Sequence, residues 1–375
     1  MSEERVQAAV QAAIDELVAG GSETGLQVAV IRNGRVIADA VSGVADPGTG
    51  APVTRDTLFY AASTAKGVAS SVAHVLAERG EISYDLRLAE VWPEFAARGK
   101  DAVTLRHVLL HTAGVPGLPP DVTVADQCDW DRMCTLIAAE EPWWEPGTRF
   151  GYHAKTFGYL LGETLRRATG QRLSALLREH VTGPLGVADD VHFGVPPHLL
   201  PRVARQVPGQ SPLPPAPEPG TTQSRAMPPG IVPDAGYANR EDFLTCDVPS
   251  EGTMTALGVA RVYSGLLGHA DGVTLVSPRR LTEMAAITVT GMDQVMGFET
   301  AWAFGYAPGR PSGVPSRPGS AFGMVGMNGS AAFADIDSGV AVAVMRNRFA
   351  AGDLTAVAAV DRIVAREGSG EHAYD

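Results

Sequence analysis

No apolar run in the chain is long enough to span a bilayer, which excludes a transmembrane helix. The start, "MSEERVQAAVQAAIDELVAGG", lacks the basic cluster and continuous apolar block of a secretory signal. Val6, Val10, Ile14 and Leu17 instead fall at helical spacing, so this stretch reads as a surface helix stopped by Gly20-Gly21. Cysteine is scarce: Cys128, Cys134 and Cys246 are odd in number and form no CxxC pair. That argues against a disulfide framework or a zinc site and for a reducing compartment, and a cytoplasmic protein is expected. Positive charge is in the minority, with 30 Lys+Arg against 42 Asp+Glu and a formal net charge of −12. Nucleic acid and anionic membrane surfaces are therefore excluded as partners. Also missing are a P-loop, a G-x-G-x-x-G in a strand–helix setting and a G-x-S-x-G elbow, so nucleotide-binding folds and an α/β-hydrolase triad are unsupported. No cofactor is expected.

What is present suits one large globular domain: 375 residues, 45% hydrophobic and 19% charged. "LQVAVIRNGRVIADAVSG" predicts a β-hairpin turning at Asn33-Gly34. "GSAAFADIDSGVAVAVMRN" predicts another, turning at Asp337-Ser338-Gly339, and a helix over Leu354–Arg366 closes the chain. Between them the pattern is mostly helical, with candidates at Ser63–Arg79, Leu105–His111, Lys155–Ala168 and Thr255–Leu267. The expected fold is α/β in the α+β sense. A sheet lobe from about 1–58 and 290–375 carries both terminal helices on one face, and a helical lobe fills about 59–289. Residues 196–233 are proline-rich and predict an extended surface excursion.

The chemistry starts at "YAASTAKGVASS", where Lys66 follows Ser63 by three residues in an apolar setting. If Ser63 opens a helix, its hydroxyl and the Lys66 amine share one face. Burial and the positive end of the helix dipole both disfavour an ammonium there, so a neutral Lys66 could activate Ser63 as a nucleophile. The plainer reading is a capping serine beside a solvated lysine. In "EPWWEPGTRFGYHAKTFGYLLGE", Tyr152 stands at a loop–helix junction, either as a proton relay whose pKa is lowered by nearby cations or as a core tyrosine. In "FGMVGMNGSAAFAD", Gly323, Gly326 and Gly329 interrupt a strand pattern. Such glycines mark either a close backbone approach that offers an N–H to an oxyanion, or a bulge. His107 and His111 lie four apart but lack the Glu of a zinc motif, so no metal is assigned. Ser250 either lines a cleft or caps a helix, and Trp143, Trp144 and Trp302 either wall an acyl pocket or fill the core.

Together these stretches resemble the serine β-lactamase and penicillin-binding-protein superfamily, in its class C-like branch with the family VIII carboxylesterases and related acyltransferases. "TLFYAASTAKGVAS" resembles the first motif, "TLRHVLLHTAGVP" its loop marker and "EPGTRFGYHAKTFGYLLGE" the second motif, over about Val28 to Met345. The resemblance implies a nucleophile at Ser63, a base at Lys66 and a tyrosine at Tyr152, with the backbone N–H groups of Ser63 and Met327 as oxyanion hole. It implies substrate contacts at His153, Ser250, Met324 and Gly326. The second motif reads Tyr152-His153-Ala154, as in the esterase branch. The third reads Met324-Val325-Gly326 where K-T-G or H-x-G is expected, which counts against β-lactams and peptide C-termini. The implied activity is ester hydrolysis through an acyl-enzyme on a small-molecule ester. An acyltransferase of natural-product (antibiotic) biosynthesis with an amine or alcohol acceptor comes second, and a D-amino peptidase or β-lactamase third.

Overall fold

A computed structural model describes residues 3–210, 217–270 and 272–368. Five helices organise it: α1 Glu3–Ala19, α2 Thr64–Glu78, α3 Phe157–Thr169, α4 Ala256–Leu266 and α5 Thr355–Gly368. The strands that matter here are β1 Gly25–Arg32, β2 Arg35–Asp46, β3 Ala51–Pro52, β4 Val289–Met292, β5 Glu299–Trp302, β6 Ala307–Pro308, β7 Ala321–Val325, β8 Ala331–Asp335 and β9 Val340–Arg346. Seven of them form one antiparallel sheet in the order β6-β7-β8-β9-β1-β2-β3. Its centre joins the two ends of the chain, with Val28 opposite Val344 and Val30 opposite Val342.

Both predicted hairpins form, and their tips interlock. Asn33 and Gly34 take positive φ values of 49° and 80°, the geometry that Asn-Gly adopts at least cost. Gly339, at φ 65°, accepts the Asn33 N–H on its carbonyl at 2.8 Å, and a Cβ there would collide with the Asn33 side chain. The alternation of side chains sorts the sheet into two faces. Val28, Val30, Phe333, Val342 and Val344 bury against Val6, Val10 and Ile14 of α1 and Val357, Val360 and Val364 of α5. Each such valine contributes about 1.5–3 kcal/mol by leaving water. The opposite face is small, with Ala29, Ala332, Ala334, Ala341 and Ala343 all buried, and α4 lies against β1, β8 and β9 there. That mixed fold, with the terminal helices on one face, is the one the sequence pattern predicts.

Three expectations need correction. The 196–233 segment is not an extended excursion. It folds into short helical turns at Pro197–Arg202, Thr222–Ala226 and Pro229–Ile231, and it buries Ala204, Ala226 and Ile231. Proline at the first turn of a helix loses no hydrogen bond, so the composition starts turns instead of forbidding them. Residues 211–216 of that segment lie outside the described residues. The helix predicted to reach His111 stops at Leu109, because His111 sits at φ 58°.

The third correction concerns cysteine. Cys128, ending the turn Val124–Cys128, and Cys246, just past the turn Glu241–Leu244, form a disulfide with their Cα atoms 5.3 Å apart. Only Cys134 is free, and it is buried. An odd count and a separation of 118 residues hid the pair, and the argument for a reducing compartment loses its basis. Among the described residues no helix is long and apolar enough to cross a membrane. Alkylation of the unfolded, unreduced chain is expected to tag one thiol, and three after reduction, read by intact mass. Reduction should also lower stability to urea by about 2–4 kcal/mol.

Candidate active site

Ser63 sits at a forced corner. Ala62 before it takes φ 45°, a left-handed conformation that costs an alanine about 1–2 kcal/mol, and α2 begins at once after it. Ser63 occupies the N-cap position yet makes no side-chain capping bond. The plainer capping reading therefore fails. Its hydroxyl accepts a hydrogen bond from Lys66 Nζ at 2.9 Å, and the same amine donates to the Ser250 carbonyl at 3.0 Å. Lys66 is 1% exposed. Burial, opposed by Glu251 and assisted by Lys155, brings its pKa from the usual 10.5 to about 7. Room for α2 at this point depends on Gly67, where a Cβ would strike the Tyr263 hydroxyl.

Tyr152 faces this pair, its ring 5.2 Å from Lys66 Nζ. Its position is set from three sides. Both carboxylate oxygens of buried Asp293 accept its backbone N–H at 3.1 Å. Trp302 of β5 stacks on the ring at 5.4 Å with an interplanar angle of 1°, and His111 packs against it at 5.1 Å. The expectation of a lowered pKa is overturned. Burial raises the phenol, Glu251 and Asp293 raise it further, and only the hydrogen bond with Ser63 opposes them. Tyr152 is a neutral hydroxyl at physiological pH.

The third wall is the end of β7. Strand β6 pairs only with Phe322 and Gly323, and the chain then runs past α2. Thr64 Oγ1 donates to the Ser330 carbonyl at 3.1 Å, and Asn328 Nδ2 to the Tyr60 carbonyl at 2.8 Å. A Cβ on Gly326 would collide with the Ala61 carbonyl oxygen, which is the close approach its glycine implies. The Gly326 N–H is taken by the Ser330 carbonyl at 2.7 Å, whereas the N–H groups of Ser63 and Met327 meet no acceptor among the described residues. Met324 is 3% exposed and packs with Phe150 and Trp302 against Tyr152. An apolar thioether thus borders Tyr152, at the position where the resemblance leads one to expect a cation.

Two of the residues assigned to substrate sit in the scaffold instead. His153 is buried; its Nδ1 lies 2.7 Å from the Gly151 carbonyl and its Nε2 accepts the Val115 N–H at 3.1 Å, leaving no ring nitrogen for a ligand. Ser250 is fully buried, its Oγ donating to the Lys155 carbonyl and accepting the Gly158 N–H. It does not cap α4, which Thr255 caps; its hydroxyl instead takes an N–H in the first turn of α3. Of the tryptophans only Trp302 reaches Tyr152, while Trp143 and Trp144 pack with Ala226 and Val295. His107 closes a capping box with Thr104, so the two histidines four apart point to different tasks. Sequence reasoning missed Asp293, Lys155 and Glu251. A lysine immediately before the second-motif helix and a glutamate after Ser250 were the available signals.

The Beta-lactamase family model matches residues 10–366. The chain belongs to that family. Among its relatives, the esterase/beta-lactamase LipL of Mycobacterium tuberculosis is 33% identical over 337 residues, spanning 86% of this chain and 76% of LipL. Esterase EstB of Burkholderia gladioli is 27% identical, spanning 91% and 90% of the two chains. The solved structure of a family VIII carboxylesterase superposes with a TM-score of 0.86 at 32% identity, covering 96% of this chain and 97% of that one. A penicillin-binding protein homologue from Caulobacter crescentus superposes with a TM-score of 0.83 at 34% identity over the same shares. The antiparallel sheet with flanking helices is thus the fold of this family. Replacing Gly326 by alanine is expected to push the 326–330 turn off α2 and cost about 1–3 kcal/mol, read by urea unfolding.

Proposed function

We propose that the protein is a serine ester hydrolase that works through an acyl-enzyme on Ser63. The observation that carries this is the buried Lys66 amine, 2.9 Å from an uncapped serine hydroxyl and losing its proton near pH 7. Neutral Lys66 takes the Ser63 proton as Oγ attacks the ester carbonyl. The free N–H groups of Ser63 and Met327 receive the oxyanion, and losing one such donor typically costs about 2.7–4 kcal/mol of barrier. Tyr152, kept neutral by burial and two carboxylates, hands its proton to the departing alkoxide and is replenished from Lys66. Water then attacks acyl-Ser63 by the reverse relay.

The apolar wall of Phe150, Trp302 and Met324 selects the substrate. Without a cation there, a substrate carboxylate finds no partner, which favours neutral esters over β-lactams and peptide C-termini. Esterase EstB and the family VIII carboxylesterase support ester hydrolysis, and LipL, an esterase/beta-lactamase, supports it without deciding against β-lactams. An amine or alcohol in place of water would complete transfer from the same acyl-Ser63.

Activity on p-nitrophenyl butyrate is expected to fall as pH drops through about 7, because protonated Lys66 cannot accept the serine proton. Intact-mass spectrometry should find an acyl adduct on the wild type and none on Ser63→Ala. Lys66→Ala should lose about 100-fold or more in kcat/KM. An adduct that persists on Ser63→Ala would sink the assignment.

A further inference from the structure

The chain contains only three lysines, Lys66, Lys100 and Lys155, and all are buried to within 1%. Lys100 is spent on the carbonyls of Ala97, Ala138 and Glu140, a structural role remote from Ser63. Lys155 has a different setting. It pairs with Glu251, itself only 4% exposed, beside the site but outside the proposed mechanism.

Glu251 is gripped by three groups. Lys155 Nζ and the Tyr237 hydroxyl (3.1 Å) meet its Oε1, and the Tyr60 hydroxyl meets its Oε2. Tyr237 is tied in turn to the Gln127 side chain at 2.9 Å. Two of these partners, and Glu251 itself, belong to segments that carry a working group. Tyr60 lies three residues before Ser63, Lys155 three after Tyr152, and Glu251 directly follows the Ser250 carbonyl on which Lys66 rests. The backbone of Lys155 also accepts the Ser250 hydroxyl, so the pair and the carbonyl form one unit.

We propose that Lys155 and Glu251 are a positioning pair for Lys66: Glu251 locks the Ser250 carbonyl against the amine, and Lys155 cancels the carboxylate's field there. This rests on Lys66 being the base of the mechanism above. A carboxylate alone would hold Lys66 as an ammonium, unable to accept the Ser63 proton. A counter-cation in the same dry pocket removes that penalty while leaving Glu251 charged enough to grip its tyrosines. The remaining groups around the amine do not substitute for the pair. Tyr152 and Tyr60 are neutral, Asp293 lies behind Tyr152, and His111 is kept neutral by burial and by its neighbours His153 and Lys66.

Three lysines make the test direct. In protein labelled with 13Cε-lysine, each amine gives one carbon signal whose pH titration reads its own protonation. Lys100→Arg and Lys155→Met identify the signals by removal. Glu251→Gln should lower the Lys66 midpoint by about 0.5 pH unit or more, and Lys155→Met should raise it by a similar amount. If either single variant fails to fold by circular dichroism, Lys155→Met/Glu251→Gln replaces it. The midpoint should then fall, since Glu251 acts on Lys66 more strongly than Lys155 does. Midpoints within about 0.3 unit of wild type, or single variants moving it in the same direction, overturn the proposal. Fluorophosphonate labelling of Ser63 runs alongside. A labelled wild type with an unmoved lysine sinks the pair alone, and an unlabelled wild type sinks the nucleophile assignment however the lysine titrates.

Discussion

One amine out of water determines the shape of this site. Lys66 has no solvent to turn to, so its hydrogen bonds go to Ser63 and to the Ser250 carbonyl. Those two acceptors come from segments far apart in sequence, and much of the helical half of the molecule serves to bring them together. Ala62 is held left-handed so that α2 can start at Ser63. Gly158 lets α3 lie against Ser250, where any Cβ would clash with Pro249 and Ser250. A buried unpartnered amine would cost several kcal/mol, so these constraints are mutually enforcing.

The sheet supplies the fixed reference. Its alanine face admits α4 closely, and α4 is linked to the Ser250–Glu251 turn by the short strand Thr253–Met254, which pairs with Phe59–Tyr60 just ahead of Ser63. At the other edge, β7 delivers the turn at Gly326 to the Ala61 carbonyl, so strand and nucleophile are in register without a side-chain bond between Ser63 and Met327. The β4–β5 hairpin adds the last wall through Asp293 and Trp302. Nucleophile and base share one stretch at the start of α2, while the phenol and the Met327 N–H come from two others, each tied to the sheet or to another.

The parts legible in the sequence were those with local signatures. Asn33-Gly34 and Gly339 announce their turns, valines at spacings of two and four announce the sheet and its outer helices, and Ser63, Lys66 and Tyr152 stand in motifs. What stayed hidden was long-range. Cys128 and Cys246 meet across 118 residues, and Glu251 finds Lys155 across 96 and Tyr60 across 191. Local sequence does not say which residues meet: a lone cysteine reads as a free thiol, and Lys155 or Glu251 beside its motif reads as an ordinary surface charge. His153 and Ser250 were misplaced for a related reason. A polar side chain beside a motif reads the same whether it faces the cleft or spends both its hydrogen-bonding capacities on backbone behind it, as these do.

The burial of every lysine has a consequence for the outside of the molecule. The basic surface is guanidinium, which stays protonated and is a poor nucleophile at neutral pH. Activated esters, including any reactive acyl compound handled at Ser63, find no lysine amine on the folded exterior to acylate. The same property makes amine-coupling resins and succinimidyl dyes poor tools for attaching this protein through lysine. Uptake of such a dye by a lysine would instead report that a buried amine had been uncovered.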